Sequence, residues 1–323
     1  MSTSRKNEAE SPLLSVLVPL LNEAENLRPL HQRLVQTLEE ANVSFEIIFV
    51  DDGSEDDSLE ILRELHAQDA RVRYASFSRN FGHEAATTCG FTLVRGQCAV
   101  LIDADLQDPP EIIPQLLEAW RGGAMIVHAR RRRRAGERLW KLVTAHLFYR
   151  ILNQLSSVPI PNDVGDFRLV DRRVVDHFNA MPERKRFVRA MIAWVGYTQS
   201  TVEYDRAPRV RGKTNYNFIK LLALSLDAIT SNSVVPLRLC ILLGLMVTGF
   251  SFTLALVVVL DRMFFGLNIQ GYTLTTAGMF LLGGVQITFL GVIGEYVGKI
   301  YTQVQGRPLF ILQETEQTRD DPT

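Results

Sequence analysis

The chain has 323 residues, of which 46% are hydrophobic and 22% are charged, and its 35 basic residues nearly balance its 36 acidic residues. This balance excludes a strongly basic nucleic-acid binder, and the hydrophobic content excludes a largely disordered protein. The average hides an uneven distribution, because no charged residue occurs between Arg238 and Asp261 or between Arg262 and Glu295. The composition therefore indicates a charged body followed by an apolar tail.

Strand and helix signals alternate along the first part of the body. Short apolar runs predict strands at residues 13–19, 45–50, 72–76, 99–103 and 125–129. Apolar residues at helical spacing lie between these runs, so the order predicts an α/β domain with a mostly parallel, Rossmann-like sheet. Ligands of such sheets bind beyond the carboxyl ends of the strands. Polar clusters fall at these ends, at residues 19–23, 51–54 and 103–108.

Asp103, Asp105 and Gln107 follow an apolar strand in the segment DADLQD. Residues two apart on an extended backbone point to the same face, so these three side chains can converge. Carboxylate and amide oxygens are hard ligands that suit Mg²⁺ or Mn²⁺, and these ions also bind substrate phosphates. An acidic turn that caps the next helix is the alternative. The two other acidic strand ends of the sheet favour the metal site.

A second acidic pair, Asp51 and Asp52, ends a predicted strand before Gly53 and Ser54. An acid at this place in a nucleotide-binding fold can hydrogen-bond a ribose or a base. An ordinary Asp-Gly turn before a capped helix explains the segment equally well, and both interpretations stay open. The chain has neither a GxGxxG nor a GxxxxGK[ST] motif. We therefore expect a metal and Arg or Lys side chains to hold any nucleotide phosphates.

Basic residues cluster in two segments of the body. A run of five arginines, residues 130–134, follows a predicted strand. Such a run would attract a phosphate or anionic lipid headgroups, although runs of this kind are usually solvated surface. A later basic loop is a candidate lid over a diphosphate. The candidates for an acceptor phosphate or the membrane are Arg130, Arg131, Arg134, Arg138 and Arg211, and those for the diphosphate are Arg209 and Lys213. Four others are interpreted as surface charge only: Arg184, Lys185, Arg186 and Arg189.

The apolar tail predicts a hairpin of two transmembrane helices within residues 233–300. Its spans, 237–260 and 273–295, each exceed the roughly 20 residues that cross the hydrocarbon core. A buried helix pair in a soluble core is disfavoured, because soluble helices rarely continue so long without a charge. Two segments before the hairpin, about 138–155 and 216–232, predict interfacial amphipathic helices, with packing on the sheet as the alternative.

Charges at the ends of the spans predict the topology of the tail. Basic residues precede the first span and follow the second, whereas the connecting loop carries only Arg262, beside Asp261. The positive-inside rule then places the body and both termini in the cytoplasm, with the chain in the inner membrane. We expect residues 1–12 to be a disordered N-terminus without a signal peptide, and residues 301–323 to be a cytoplasmic tail.

Several of these segments together resemble the dolichyl-phosphate-mannose-synthase-like branch of the family 2 glycosyltransferases. The segments are VPLLNEAENL, DDGSEDDS, SRNFGHEAA, DADLQDPPE, GDFRLVDRRVV and RVRGKTNY. The resemblance covers residues 13–312 and is closest to bacterial polyprenyl-phosphate (bactoprenol) glucosyltransferases with a two-helix membrane tail. It implies a GT-A fold for residues 13–232, a nucleotide-sugar donor, Mg²⁺ or Mn²⁺, and a homo-oligomer such as a tetramer.

The resemblance also implies a nucleotide pocket and a metal site. Its nucleotide-pocket residues are Pro19, Asn22, Glu23, Asp51 and Asp52, with Asp51 near the base or ribose. Asp103 and Asp105 match the family's D-x-D motif. The metal site then comprises Asp103, Asp105 and Gln107, in which Asp105 and Gln107 are the direct ligands and Asp103 lies near the sugar or nucleotide.

Catalytic roles follow from the same resemblance. Asp166, in GDFRL, matches the family's catalytic acidic position, and Arg168 is placed to hold a phosphate. With Asp105, these are the expected catalytic residues. His83 receives no role, because some relatives carry Lys at that position.

The implied reaction moves one hexose, glucose, from UDP-glucose to a polyprenyl monophosphate with inversion, and releases UDP. GDP-mannose, UDP-N-acetylhexosamine and UDP-aminoarabinose stay open as donors. A phosphate monoester has a second pKa of about 6 and is largely ionised at neutral pH, so we expect Asp166 to orient the acceptor, with a role as base left open. A processive polysaccharide synthase is disfavoured by the two spans and the missing QxxRW-type motif. A non-catalytic membrane scaffold is disfavoured by the intact acidic set.

Overall fold

The computed structural model describes residues 11–131, 164–184, 186–204, 235–265 and 272–316. The predicted interfacial helices and most of the predicted disordered N-terminus lie outside these residues. So do six of the basic residues singled out above: Arg134, Arg138, Lys185, Arg209, Arg211 and Lys213. The described residues form two compact units, one containing residues 11–131, 164–184, 186–204 and 307–316 and the other containing the two long C-terminal helices.

An eight-stranded sheet forms the centre of the first unit. Its strands are β1 (Leu14–Leu20), β2 (Phe45–Asp51), β3 (Val72–Phe77), β4 (Cys98–Leu101), β5 (Ile126–Arg131), β6 (Val164–Asp171), β7 (Gln199–Tyr204) and β8 (Leu312–Thr315). They lie in the order β7-β5-β6-β4-β1-β2-β3-β8. Strands β1 to β4 pair in parallel, whereas β6 runs antiparallel between β4 and β5. The structure confirms the predicted α/β class with a mostly parallel sheet.

Helices cover both faces of this sheet. They are α1 (Ala24–Glu40), α2 (Ser58–Gln68), α3 (His83–Leu93), a 3₁₀ turn (Pro110–Ile112), α4 (Ile113–Arg121), α5 (Arg172–Ala180) and α6 (Val188–Trp194). One core packs α1, α2 and α4 against the sheet, and a second core packs α3, α5 and α6 against the other face. All residues of β1, β2 and β3 are buried, which explains why these strands read as continuous apolar runs.

Strand β8 pairs antiparallel with β3 at one edge of the sheet, within the segment that the sequence indicated as a tail. Glu314 accepts hydrogen bonds from Arg63 at 3.0 and 2.6 Å and from the Tyr74 hydroxyl at 2.7 Å. Phe310 stacks on Phe77 with 5.0 Å between ring centroids. The short segment LQET has a weak strand signal of its own, so these distant partners determine its conformation.

The second unit contains α7 (Val235–Phe265) and α8 (Tyr272–Gln305), with 31 and 34 residues. Both helices extend beyond the spans predicted from the sequence. Leu281–Gln305 is long and apolar enough to cross a membrane by length and composition, and Leu239–Thr253 is a shorter apolar stretch. A second crossing and the orientation of the chain stay predictions.

A buried ion pair inside the first unit generates a test of stability. Arg73 donates to Glu46 at 3.0 Å, to the Leu93 carbonyl at 2.8 Å and to Glu316 at 2.9 Å. Arg73→Ala leaves the buried Glu46 without this cation, so we expect it to lower the free energy of unfolding by about 3–5 kcal/mol. Arg33→Ala breaks the exposed pair with Glu111 and is expected to cost about 1 kcal/mol or less. Denaturant unfolding in detergent measures both, and equal costs would contradict the prediction.

Candidate active site

A cavity of about 400 Å³ opens at the carboxyl ends of the central strands. Its lining residues are Pro19, Leu20, Leu21, Glu23, Asp52, Asn80, Gly82, His83, Ala86, Asp103, Ala104, Asp105 and Asp166. The structure therefore brings together six residues that the sequence singled out: Pro19, Glu23, Asp52, Asp103, Asp105 and Asp166. Five of these are acids, so the cavity is suited to a cation or to a cation-bound anion.

The two acids at the end of β2 have different roles: Asp51 stabilises the turn, and Asp52 lines the cavity. Asp51 is buried and accepts hydrogen bonds from the Ser54 backbone N–H at 2.9 Å and from the Ser76 hydroxyl at 2.7 Å. It thus holds the turn and is absent from the cavity lining. Asp52 accepts from the backbone N–H groups of Phe81 at 2.6 Å and Gly82 at 2.9 Å. Asp52 thereby fixes the segment that begins α3.

Asn22 lies on the exposed rim beside this turn and does not line the cavity. Its backbone N–H donates to the Ser54 hydroxyl at 2.8 Å, and its side-chain oxygen accepts from the Glu55 N–H at 2.8 Å. Its φ of 56° lies in the left-handed region, which Asn tolerates better than most residues. Asn22 therefore links the loops after β1 and β2.

Gln107 is not among the residues that line the cavity with Asp103 and Asp105. Strand β4 ends at Leu101, and Leu106 has a left-handed φ of 59°, so the backbone is not extended through this segment. The Gln107 side chain is buried, and its backbone N–H donates to Asp105 at 3.1 Å. The extended backbone assumed for this segment is therefore wrong, and the place of Gln107 in the metal site stays a prediction.

His83, Asp103 and Asp166 offer ligand atoms that all lie within 4.8 Å of one another. Burial and the neighbouring carboxylates raise the pKa of Asp103 to about 6. Two carboxylates and one imidazole fit a divalent cation such as Mn²⁺, which would relieve the repulsion between the acids. Asp103 belongs to both this cluster and the predicted set, whereas His83 had no role in the sequence analysis. No sequence signal beyond its place at the start of α3 could have identified it.

Two arginines and a histidine surround the Asp166 carboxylate. Arg189 donates to both carboxylate oxygens at 2.7 Å, Arg168 lies 3.5 Å away and His83 lies 3.7 Å away. Burial alone would raise the pKa of Asp166, but Arg189 and Arg168 hold it below its ordinary value. The interpretation of Arg189 as surface charge is therefore wrong. The 23-residue separation of Arg189 and Asp166 concealed the pair.

Arg168 is almost completely buried and does not line the cavity. Its guanidinium donates to the backbone carbonyls of Gly165 at 2.9 Å and Asp166 at 3.1 Å. Burial lowers its pKa to about 10. These bonds fix the backbone of β6 below Asp166 and do not present the guanidinium to a phosphate, contrary to the expectation from the sequence.

The two described arginines of the five-residue run have acidic or phenolic partners. Arg130 donates to Glu203 at 2.8 Å. Arg131 donates to the Tyr204 hydroxyl at 3.1 Å and lies 3.5 Å from the buried Asp108. Neither arginine lines the cavity. Much of the charge at these two positions is thus compensated inside the first unit, and a role in binding an acceptor stays a prediction.

Gly53 allows the close approach that shapes this wall of the cavity. Its φ is +73°, and a Cβ atom there would lie 2.4 Å from the backbone carbon of Arg79. We expect Gly53→Ala to lower the free energy of unfolding by about 2–4 kcal/mol, through strain and overpacking together. Gly123→Ala is the matched control, because its φ is +101° and no atom lies within 4 Å of its Cβ position.

The control should show only the cost of the left-handed backbone, about 1–2 kcal/mol. Thermal unfolding of both variants measures the difference. If Gly53→Ala were no less stable than Gly123→Ala, the close approach to Arg79 would not constrain the turn.

Comparisons with known proteins agree with this architecture. Residues 15–178 match the glycosyl transferase family 2. The uncharacterized glycosyltransferase YkcC of Bacillus subtilis is 42% identical, over 93% of each chain. The bactoprenol glucosyl transferase of Shigella phage SfII is 40% identical, over 94% of this chain and 98% of its own.

Among solved structures, glucosyl-3-phosphoglycerate synthase from Mycobacterium tuberculosis, in complex with Mn²⁺ and uridine-diphosphate-glucose, is 21% identical. It covers 68% of this chain and 77% of its own, with a TM-score of 0.44. The family match and the relatives, which align along nearly the whole chain, together establish the family of this protein. The chain belongs to glycosyl transferase family 2 and is a glycosyltransferase with a GT-A catalytic domain.

Proposed function

We propose that the chain moves one glucose from UDP-glucose to a polyprenyl monophosphate, giving polyprenyl-phospho-glucose and UDP with inversion at the sugar. The observation that carries this proposal is the similarity, along almost the entire chain, to proteins named bactoprenol glucosyl transferase. The acid-lined cavity at the carboxyl ends of the strands supports a site for a metal-bound nucleotide sugar.

The cavity residues suit this chemistry. Asp103, Asp166 and His83, with Asp105 beside them, would hold Mg²⁺ or Mn²⁺. The bound ion would neutralise the charge that develops on the diphosphate leaving group. Asp166 is a poor proton acceptor, because Arg189 donates to both of its oxygens and holds its pKa below the ordinary value. Asp166 therefore orients the acceptor, whose phosphate is already ionised at neutral pH because its second pKa is about 6.

The C-terminal helices suit a lipid acceptor. Leu281–Gln305 has the length and composition of a membrane span. Large apolar side chains along both helices are exposed, among them Phe250 and Ile287, each at 72%. Such surface is costly in water and favourable in lipid. We propose two membrane crossings within residues 233–300, with the catalytic domain and both termini in the cytoplasm, and a homo-oligomeric assembly.

The direct test is transfer of labelled sugar into lipid. Purified protein is incubated with a polyprenyl phosphate and each radiolabelled donor in turn: UDP-glucose, GDP-mannose, UDP-N-acetylhexosamine and UDP-aminoarabinose. Butanol extraction then separates the lipid product. We expect transfer from UDP-glucose that stops with EDTA and returns with Mn²⁺ or Mg²⁺. Transfer from another donor alone would correct the sugar, and no metal-dependent transfer from any donor would reject the lipid acceptor.

The metal cluster generates a separate prediction. Changes to groups that only support a metal ligand commonly weaken metal affinity about 10- to 100-fold, so loss of a ligand should weaken it at least about tenfold. We expect His83→Gln to weaken Mn²⁺ binding by this amount in isothermal titration calorimetry. His177→Gln is the control, because His177 is exposed and pairs with Tyr197 outside the cavity. Equal Mn²⁺ affinities for the two variants would remove His83 from the ligand set.

A further inference from the structure

Arg189 contacts Asp166 without lining the cavity that Asp166 faces. The Arg189 Nε atom lies 2.7 Å from Asp166 Oδ1, and Nη2 lies 2.7 Å from Oδ2. A two-bond pair of this kind fixes the plane of a carboxylate as well as its position. The bidentate pair thus gives Arg189 a direct means of orienting a carboxylate that lines the cavity.

The backbone around Arg189 is tied to the other side of the cavity. Arg189 is the second residue of α6, and the N–H of the first, Val188, donates to the Glu84 carboxylate at 2.9 Å. Glu84 is the second residue of α3 and follows His83. The starts of α3 and α6 are thus joined, and they bring His83 and Arg189 to the same carboxylate of Asp166.

The Asp166 carboxylate lies among acids as well as cations. Asp103 and Glu84 both interact unfavourably with its charge. Arg168 lies 3.5 Å from Asp166, yet its hydrogen bonds go to backbone carbonyls. Arg189 is the described cation that binds both oxygens, so it is the group that sets the orientation of the carboxylate.

We propose that Arg189 is a positioning residue for sugar transfer, which holds the Asp166 carboxylate in the orientation that faces the reacting groups. This inference rests on the proposed function for its assay. A positioning residue changes the rate through its partner, so the effects of losing Arg189 and losing Asp166 should not add. A residue that contacts substrate directly, or supports the fold in general, would contribute independently.

The experiment is a double-mutant cycle on the full chain in detergent, with Arg189→Gln, Asp166→Asn and the double variant. We expect Arg189→Gln to lower kcat about 10- to 100-fold, with the KM for the donor changed less than about threefold. In the Asp166→Asn background the same change should alter kcat less than about threefold. Arg189→Lys should give an intermediate kcat, because an ammonium keeps the charge but cannot form the planar two-bond pair.

Arg33→Gln is the matched control. Arg33 pairs with both oxygens of Glu111 at 2.9 and 2.8 Å, and its side chain is 37% exposed against 36% for Arg189. Arg33 lies outside the cavity lining, so the kcat of the Arg33→Gln variant should stay within about twofold of the parent value. Melting temperatures of all variants show whether each one folds. If Arg189→Gln does not fold, Arg189→Lys replaces it in the cycle.

The positioning role would be overturned if the kcat losses of the two single variants multiplied in the double variant. It would also be overturned if Arg189→Gln changed only KM. If the parent protein transfers no sugar to polyprenyl phosphate, the proposed acceptor is wrong, and a crystal structure of Arg189→Gln then decides the inference. A displaced or rotated Asp166 carboxylate in that variant supports positioning. A carboxylate that stays in place contradicts it.

Discussion

Repulsion between carboxylates at the carboxyl ends of the strands is the interaction on which the catalytic unit depends. Five acids line one cavity, and the pKa of Asp103 rises to about 6 because of burial and these neighbours. The unit compensates part of the charge with its own cations, which surround Asp166 and leave the Asp103 side of the cavity more acidic. An external divalent cation would offset the remaining negative charge. The internal arginines and a bound metal would therefore both reduce the repulsion between the carboxylates.

The backbone hydrogen bonds near the cavity serve to place these acids. Asp52 binds the N–H groups ahead of α3, and Arg168 binds the carbonyls of β6 beneath Asp166. Asp52 does this while also lining the cavity, whereas the Arg168 guanidinium faces only the backbone and Asp166 faces the cavity. A charged side chain near the site is thus not by itself evidence of substrate contact. What distinguishes the two roles is the direction in which the charged atoms point.

The sequence predicted the features that depend on local order along the chain. The buried strands and helical spacings gave the α/β class, and the acids after β1, β2 and β4 met at one edge because parallel strands end there together. Prediction failed where the backbone departed from an extended path, as at Leu106, which has a left-handed φ. It also failed for contacts between distant residues. Arg189 looked like surface charge because nothing near it in sequence showed that Asp166 was its partner.

Strand β8 has a consequence for how the chain is made. Its partner β3 lies near the start of the sequence, and the pair between Tyr74 and Glu314 joins residues 240 positions apart. Synthesis runs from the N-terminus, so the ribosome has produced both apolar helices before this strand exists. The outer edge of β3 therefore lacks its partner until both helices have been synthesised, and an open edge can pair with other chains. Because β8 closes this edge of the sheet, the catalytic unit reaches its final form only after both long helices have been synthesised.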